Sequence, residues 1–245
     1  MPPAAIRSLD DPRALQILAT EHWSLLASRT MSWNEAFSRT SMFLAALSAG
    51  VVALALVAQV AGLGQAFIAF ALVVLPFVEL IGLATFTRLG EANGEDLHYI
   101  QGMNRIRHAY LQAAPLLEPY FVTSHHDDLP AVFTAYGIPP VARYSIGRRR
   151  LHFALVTTQG MVGIIDSMLA GVFGALVAVL AGVPTVAAGS VGLLALAAAF
   201  GLHMLVGVSI YERLRAAMTA PFPTSAPEPE VAPVPGWQTT LERTV

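Results

Sequence analysis

The sequence predicts an all-α integral membrane protein: four transmembrane helices in two hairpins, with amphipathic cytoplasmic helices beside them. Three observations carry this expectation. Two long apolar runs lie between Ser41 and Arg88, joined by a short uncharged turn near Gly62 to Gly64, and the same shape recurs between Thr158 and Arg213. Each run has the roughly 20 residues that a helix needs to cross a hydrocarbon core. Of the 245 residues, 55% are hydrophobic and 12% charged, against about 25% charged in an average soluble domain. The third observation is where the cations fall. All fourteen are Arg: four in residues 1–39, seven in 88–150, three after 212, and none in the two tight turns. Loops rich in Arg stay on the cytoplasmic side, so both termini and the middle region are expected there.

Composition also excludes function classes. The absence of Lys and the Ala-rich runs are those of a high-GC bacterial genome, which implies the bacterial inner (cell) membrane. A net charge of −2 leaves no electrostatic footprint for nucleic acid. With no Cys there are no disulfides, thiolate metal sites or thiol chemistry. The first residues, Met1-Pro-Pro-Ala-Ala-Ile-Arg7, lack the apolar core of a signal peptide, so insertion is expected through the first internal span.

In chain order, residues 1–39 form a cytoplasmic segment whose helix starts near Asp11, a capping residue, with Pro12 at the first helical position. Leu15, Leu18, Leu25, Leu26, Trp33 and Phe37 make a partly apolar stripe, and Glu35 and Arg39 stand four apart as a supporting pair. No Gly or Pro separates this helix from span one, so one helix from about 11 to 60 is expected, roughly 75 Å long at 1.5 Å per residue. Residues 40–87 form the first transmembrane hairpin. Residues 88–157 form a polar region with its own helix over about 91–117, where Tyr99, Met103, Ile106, Tyr110, Ala113 and Leu117 recur at helical spacing. Its expected partner is the stripe of the N-terminal helix, and Pro115 and Pro119 end it. Residues 158–209 form the second hairpin. Residues 210–245 read as a disordered tail, with six prolines between Pro221 and Pro235.

The hairpins share an internal similarity. Leu80-Ile-Gly-Leu-Ala-Thr-Phe-Thr-Arg-Leu89 aligns with Leu205-Val-Gly-Val-Ser-Ile-Tyr-Glu-Arg-Leu214, and Ala61-Gly62 aligns with Ala181-Gly182. A duplication of this kind is parallel, unlike the inverted repeats of many transporters.

Three ionisable side chains fall inside the spans: Glu79, Asp166 and His203. A charge at the centre of a membrane helix costs about 2.5–3.5 kcal/mol on insertion scales. Counting back from the cytoplasmic ends at ~1.5 Å per residue, all three lie about 9–13 Å inside the same face, so they can share one layer. Pro76, three residues before Glu79, frees a backbone carbonyl beside it. One reading is a proton or cation site; the other is a structural hydrogen bond between helices. Span three carries Gly163, Ser167, Gly171 and Gly174, small residues that let helices approach closely, within the bundle or between copies. Span four carries Gly189, Gly192, Ala199 and Gly201 in the same way. Arg148, Arg149 and Arg150 precede span three, where they fix orientation and can attract anionic headgroups. The run His125-His126-Asp127-Asp128 reads as a solvated loop without metal-ligand spacing. Glu95 and His98 have the spacing of a di-iron ligand pair, but no second such pair exists, so they read as a helix surface. No cofactor is implied, and no GxSxG, phosphate loop or HExxH is present, so an enzyme is not expected.

Glu21-His-Trp-Ser-Leu-Leu-Ala27, then Trp33-Asn-Glu35 and Ser38-Arg39 running straight into a span, resembles uncharacterised four-span membrane proteins of high-GC bacteria. The N-terminal half, helix, two spans and cytoplasmic helix over about 120 residues, is similar in layout to SLATT-type effector membrane domains, which implies pore formation in a triggered defence system. The residues themselves point to a non-enzymatic scaffold that assembles through its spans and cytoplasmic helices, with the lipid bilayer as obligatory partner and a homo-oligomer in view. The alternative is a small oligomeric channel, pore or proton-coupled transporter with Glu79 and Asp166 on its pathway.

Overall fold

The computed structural model describes residues 8–9, 11–137 and 157–224, and every regular element among them is helical. α1 (Pro12–Ala61) and α2 (Gln65–Ala113) form a long first hairpin. A 3-10 turn (Pro115–Tyr120) and the short α3 (Leu129–Thr134) follow. α4 (Thr158–Leu180) and α5 (Thr185–Ala217) form the second hairpin. All four long helices are long and apolar enough to cross a membrane.

Local chemistry explains the ends. Asp11 caps α1 by accepting from the Arg13 N–H at 2.9 Å, with Pro12 in the first turn. At the hairpin turns Gly62 and Gly182 adopt φ of 63° and 82°, left-handed values that glycine alone takes without strain. These are the two glycines that the internal similarity aligns. Within the apolar stretches Thr40, Ser41, Ser48 and Thr85 donate their hydroxyls to the carbonyl four residues back, so none of these hydroxyls is left unsatisfied.

α2 is the central helix, packing on α1, α4 and α5. One core runs through the apolar halves around Phe43, Leu75, Val78, Phe86, Val162 and Leu169. A second core lies in the polar layer beyond them, where Leu97, Ile100, Met103 and Val132 pack with Leu25, Leu26 and Met218.

Four expectations change. The 91–117 helix is not separate: span two runs unbroken into it, and the helix ends at Ala113. Arg88 marks where apolar residues stop, which is no reason for a helix to stop. Gly90 and Gly94 inside it are close-approach sites; a Cβ there would meet Ile210 Cδ1 at 2.9 Å and Leu214 Cδ1 at 2.6 Å. Phe37 of the predicted stripe is exposed, and Ala36 and Ser32 are buried instead. The 125–128 loop is not solvated at its centre, because Asp127 has no exposed surface. The segment from 210 begins ordered: α5 continues to Ala217 and residues 218–224 fold back on the loop. The remainder of the predicted tail, with Arg148, Arg149 and Arg150, lies outside the described residues.

Candidate functional site

Asp166 projects from the middle of α4 toward α2, opposite Gly82. A Cβ on Gly82 would collide with Asp166 Oδ1 and come within 2.8 Å of Phe43 Cε2, so the glycine is the notch that admits the carboxylate. On the other side stands His203 of α5, its Nε2 3.2 Å from Asp166 Oδ2. The two residues are 2% and 5% exposed. Phe86 of α2 meets the imidazole edge-to-face at 4.6 Å, and Gly163 leaves room for that ring, its missing Cβ lying 2.9 Å from Phe86 Cε2.

Hydrogen bonding sets the imidazole tautomer. Nδ1 lies 2.8 Å from the Ala199 carbonyl, which can only accept, so Nδ1 carries a proton. The Ser167 hydroxyl donates to the Gly163 carbonyl at 2.6 Å and leaves its oxygen 3.3 Å from the same N–H. Nε2 faces Asp166 Oδ2 across the 3.2 Å contact. The contact is off the ideal hydrogen-bond direction, and among the described residues neither His203 Nε2 nor Asp166 Oδ1 has a hydrogen-bond partner.

Glu79 joins this layer at a distance. It is half-buried on α2, near enough to Asp166 and His203 to interact electrostatically, and no hydrogen bond or ion pair holds it among the described residues. The expected layer of three therefore resolves into a tight pair and a separate neighbour. The small residues of α4 serve contacts within the chain. Gly171 and Gly192 abut backbone to backbone, and Gly174 faces Ala195. Gly189 and Gly201 of α5 face open space.

Polar clusters tie the helices together where they leave the apolar region. Arg88 bridges Glu35 of α1 at 2.9 Å and Glu95 of its own helix at 2.8 Å, and Ser32 donates to Glu95 as well. Arg88 holds the Glu95 carboxyl below the usual carboxylate range, which makes Glu95 an ion-pair residue; His98 beside it is exposed. The next residue after Glu95, Asp96, accepts from Arg29 Nε at 2.5 Å and from the Tyr136 hydroxyl. Burial, and then that bond, push the Tyr136 phenol upward.

A third cluster fastens the chain after α5. Phe222 N–H donates to Asp127 Oδ1 at 2.8 Å, and Arg105 Nε to Oδ2 at 2.7 Å. Gln101 bridges the carbonyls of Asp127 and Thr219, both at 2.8 Å, and Asn104 donates to the His126 carbonyl. The Phe222 ring stacks on His108 at 4.2 Å, with His125 and His126 within 6.5 Å of the same imidazole. Sequence reasoning missed this seam, although Gln101, Asn104 and Arg105 stand three and four apart on one helix face. Among the described residues no group of three or more His, Asp or Glu is placed to hold a metal ion.

No family model, curated protein or solved structure matches the chain. The placement of side chains therefore carries the functional argument by itself.

Proposed function

We propose that this chain is a non-enzymatic, multi-pass protein of the bacterial cell membrane that works by self-assembly, with its polar layer and both termini in the cytoplasm. The observation that carries the reading is on α1. Ile17, Trp23 and Met31 are 59%, 69% and 72% exposed, on helix that runs about 13–35 Å beyond the start of span one at ~1.5 Å per residue. Lipid cannot cover side chains so far along an unbroken helix, and exposed apolar patches outside lipid mark association surfaces. Between Trp23 and Met31 the other exposed positions, Ser24, Ala27 and Thr30, are uncharged, which suits a second copy of itself. Because α1, α2 and α5 each continue from the apolar bundle into the polar layer, assembly of the layer bears directly on the bundle. The test is the mass of the detergent-solubilised protein with detergent subtracted, for wild type and for a Trp23→Glu, Met31→Glu variant. An oligomer that the variant reduces to monomer supports the reading; a wild-type monomer at high concentration overturns it.

A second reading, proton or cation movement, is favoured by the Asp166–His203 pair, since ionisable groups inside membrane bundles commonly mark ion paths. Ion flux into liposomes, lost in the Glu79→Gln, Asp166→Asn double variant, supports it; equal flux in wild type and variant removes it.

A further inference from the structure

Between α1 and α2, where the chain passes from polar to apolar, lies a groove of about 520 Å³. Glu35, Ser38 and Arg39 line its polar end, and Met42, Leu80 and Ala84 line its apolar end. Arg39 is the last charged residue before span one, and Arg88 the first after span two. α1 runs inward from Glu35 to Met42 while α2 runs outward from Leu80 to Arg88, so both helices order the lining alike: charge at the boundary, hydrocarbon a turn or two deeper. Met42 and Leu80 are 66% and 64% exposed.

Arg39 is only partly used. Its Nε donates to Glu35 Oε1 at 3.0 Å, its side chain is half-exposed, and its two Nη groups meet no acceptor among the described residues. A guanidinium edge of this kind matches two oxygens of a phosphate. The carboxylates around it are occupied: Glu35 is shared with Arg88 at 2.9 Å, and Glu91 and Glu95 also lie on Arg88. A singly charged phosphodiester fits beside Glu35 better than a more highly charged free phosphate does. The volume lies within the roughly 300–1,000 Å³ of small-molecule sites.

We propose that this groove binds one phospholipid, its phosphodiester on the Nη groups of Arg39 and the start of an acyl chain along Met42, Leu80 and Ala84. The polarity order is that of a lipid in its own leaflet, and the site does not depend on self-assembly or on ion movement.

The test is native mass spectrometry of the full-length protein released from mild detergent and titrated with phosphatidylethanolamine and, separately, phosphatidylglycerol. Wild type is expected to retain one phospholipid per chain. Arg39→Gln, which removes the phosphate donors, and Ala84→Phe, which fills the apolar end with Arg39 intact, are each expected to weaken retention by about tenfold, with helix content and thermal midpoint unchanged. Equal retention in wild type and both variants overturns the proposal. So does displacement of the lipid by inorganic phosphate, which would make the site one for free anions, or a dimer that occludes the groove and that added lipid does not dissociate.

Discussion

Replacing Asp96 by Ala should release the short helix α3 from the polar layer while leaving the apolar bundle folded. The carboxylate is 1% exposed and accepts from Arg29 Nε at 2.5 Å, from Arg29 Nη2 at 3.3 Å and from the Tyr136 hydroxyl. Removing one side of a buried ion pair costs about 3–5 kcal/mol, because the other charge is stranded. Arg29 keeps 29% of its side chain exposed and can hydrate in part, and its cost falls on the α1–α2 contact, which stays formed. Tyr136, two residues past the end of α3, loses its acceptor in the same step, and a hydrogen bond to a charged group is worth about 1.5–3 kcal/mol. The segment can open without unfolding α1 or α2, so this second loss is local and is read by hydrogen exchange. Amides of Val132, Ala135 and Tyr136, which close this turn, should exchange about 13- to 160-fold faster at 1.36 kcal/mol per decade. Asp96→Asn keeps an acceptor for Tyr136 and should lie between. Protection within twofold of wild type in Asp96→Ala would refute the claim that this carboxylate anchors the layer.

Two further outcomes follow from the same geometry. Gly82→Ala drives a methyl into Asp166 and Phe43 and should destabilise the bundle by about 1–3 kcal/mol through overpacking, read as an earlier midpoint in denaturant; Gly201→Ala, which meets nothing within 4 Å, is the control and should be neutral or slightly stabilising. Burial, then His126 and His108, hold the His125 imidazole below its ordinary value against the opposing pull of Glu118. Seating of the 125–128 loop, on which residues 218–224 dock through Asp127, should therefore be fully stable above about pH 6.5 and weaken as pH falls below it, since only the unseated loop protonates readily there. Exchange at Phe222 that is no faster at pH 5.5 than at 7.5 would contradict this.

What could be read from the sequence and what could not divide along physical lines. The four apolar runs were legible because lipid imposes a length and a composition on any helix that crosses it. The unbroken course of α1 was legible because nothing between residues 12 and 61 can stop a helix, and the Glu35–Arg39 pair follows from spacing alone. Asp166 and His203 were recognisable as buried ionisable groups, but their pairing depends on α4 and α5 lying side by side. The depth of Asp127 was hidden because its partners are Arg105 and a backbone N–H ninety-five residues later. Likewise Gly82 reads as an ordinary helix glycine until Asp166 of another helix fills the space beside it.

Glu79 is where the structural and the ion-moving readings of the buried site part. Asp166 and His203 need no function to justify their burial: each faces the other at 3.2 Å, and the pair ties α4 to α5 against α2. Glu79 has no such return. It is half-buried, unbonded, and placed where a carboxylate costs about 2.5–3.5 kcal/mol to insert. If the site only packs, Glu79→Gln should leave helix content, oligomeric mass and flux unchanged, and stability should hold or rise. If protons reach the buried pair, Glu79 is the ionisable group that links it to the outside of the bundle, and Glu79→Gln should abolish proton uptake into liposomes with the bundle intact. Full proton uptake in Glu79→Gln, alongside loss in Asp166→Asn, would show that the pair is reached by a route that does not pass this carboxylate.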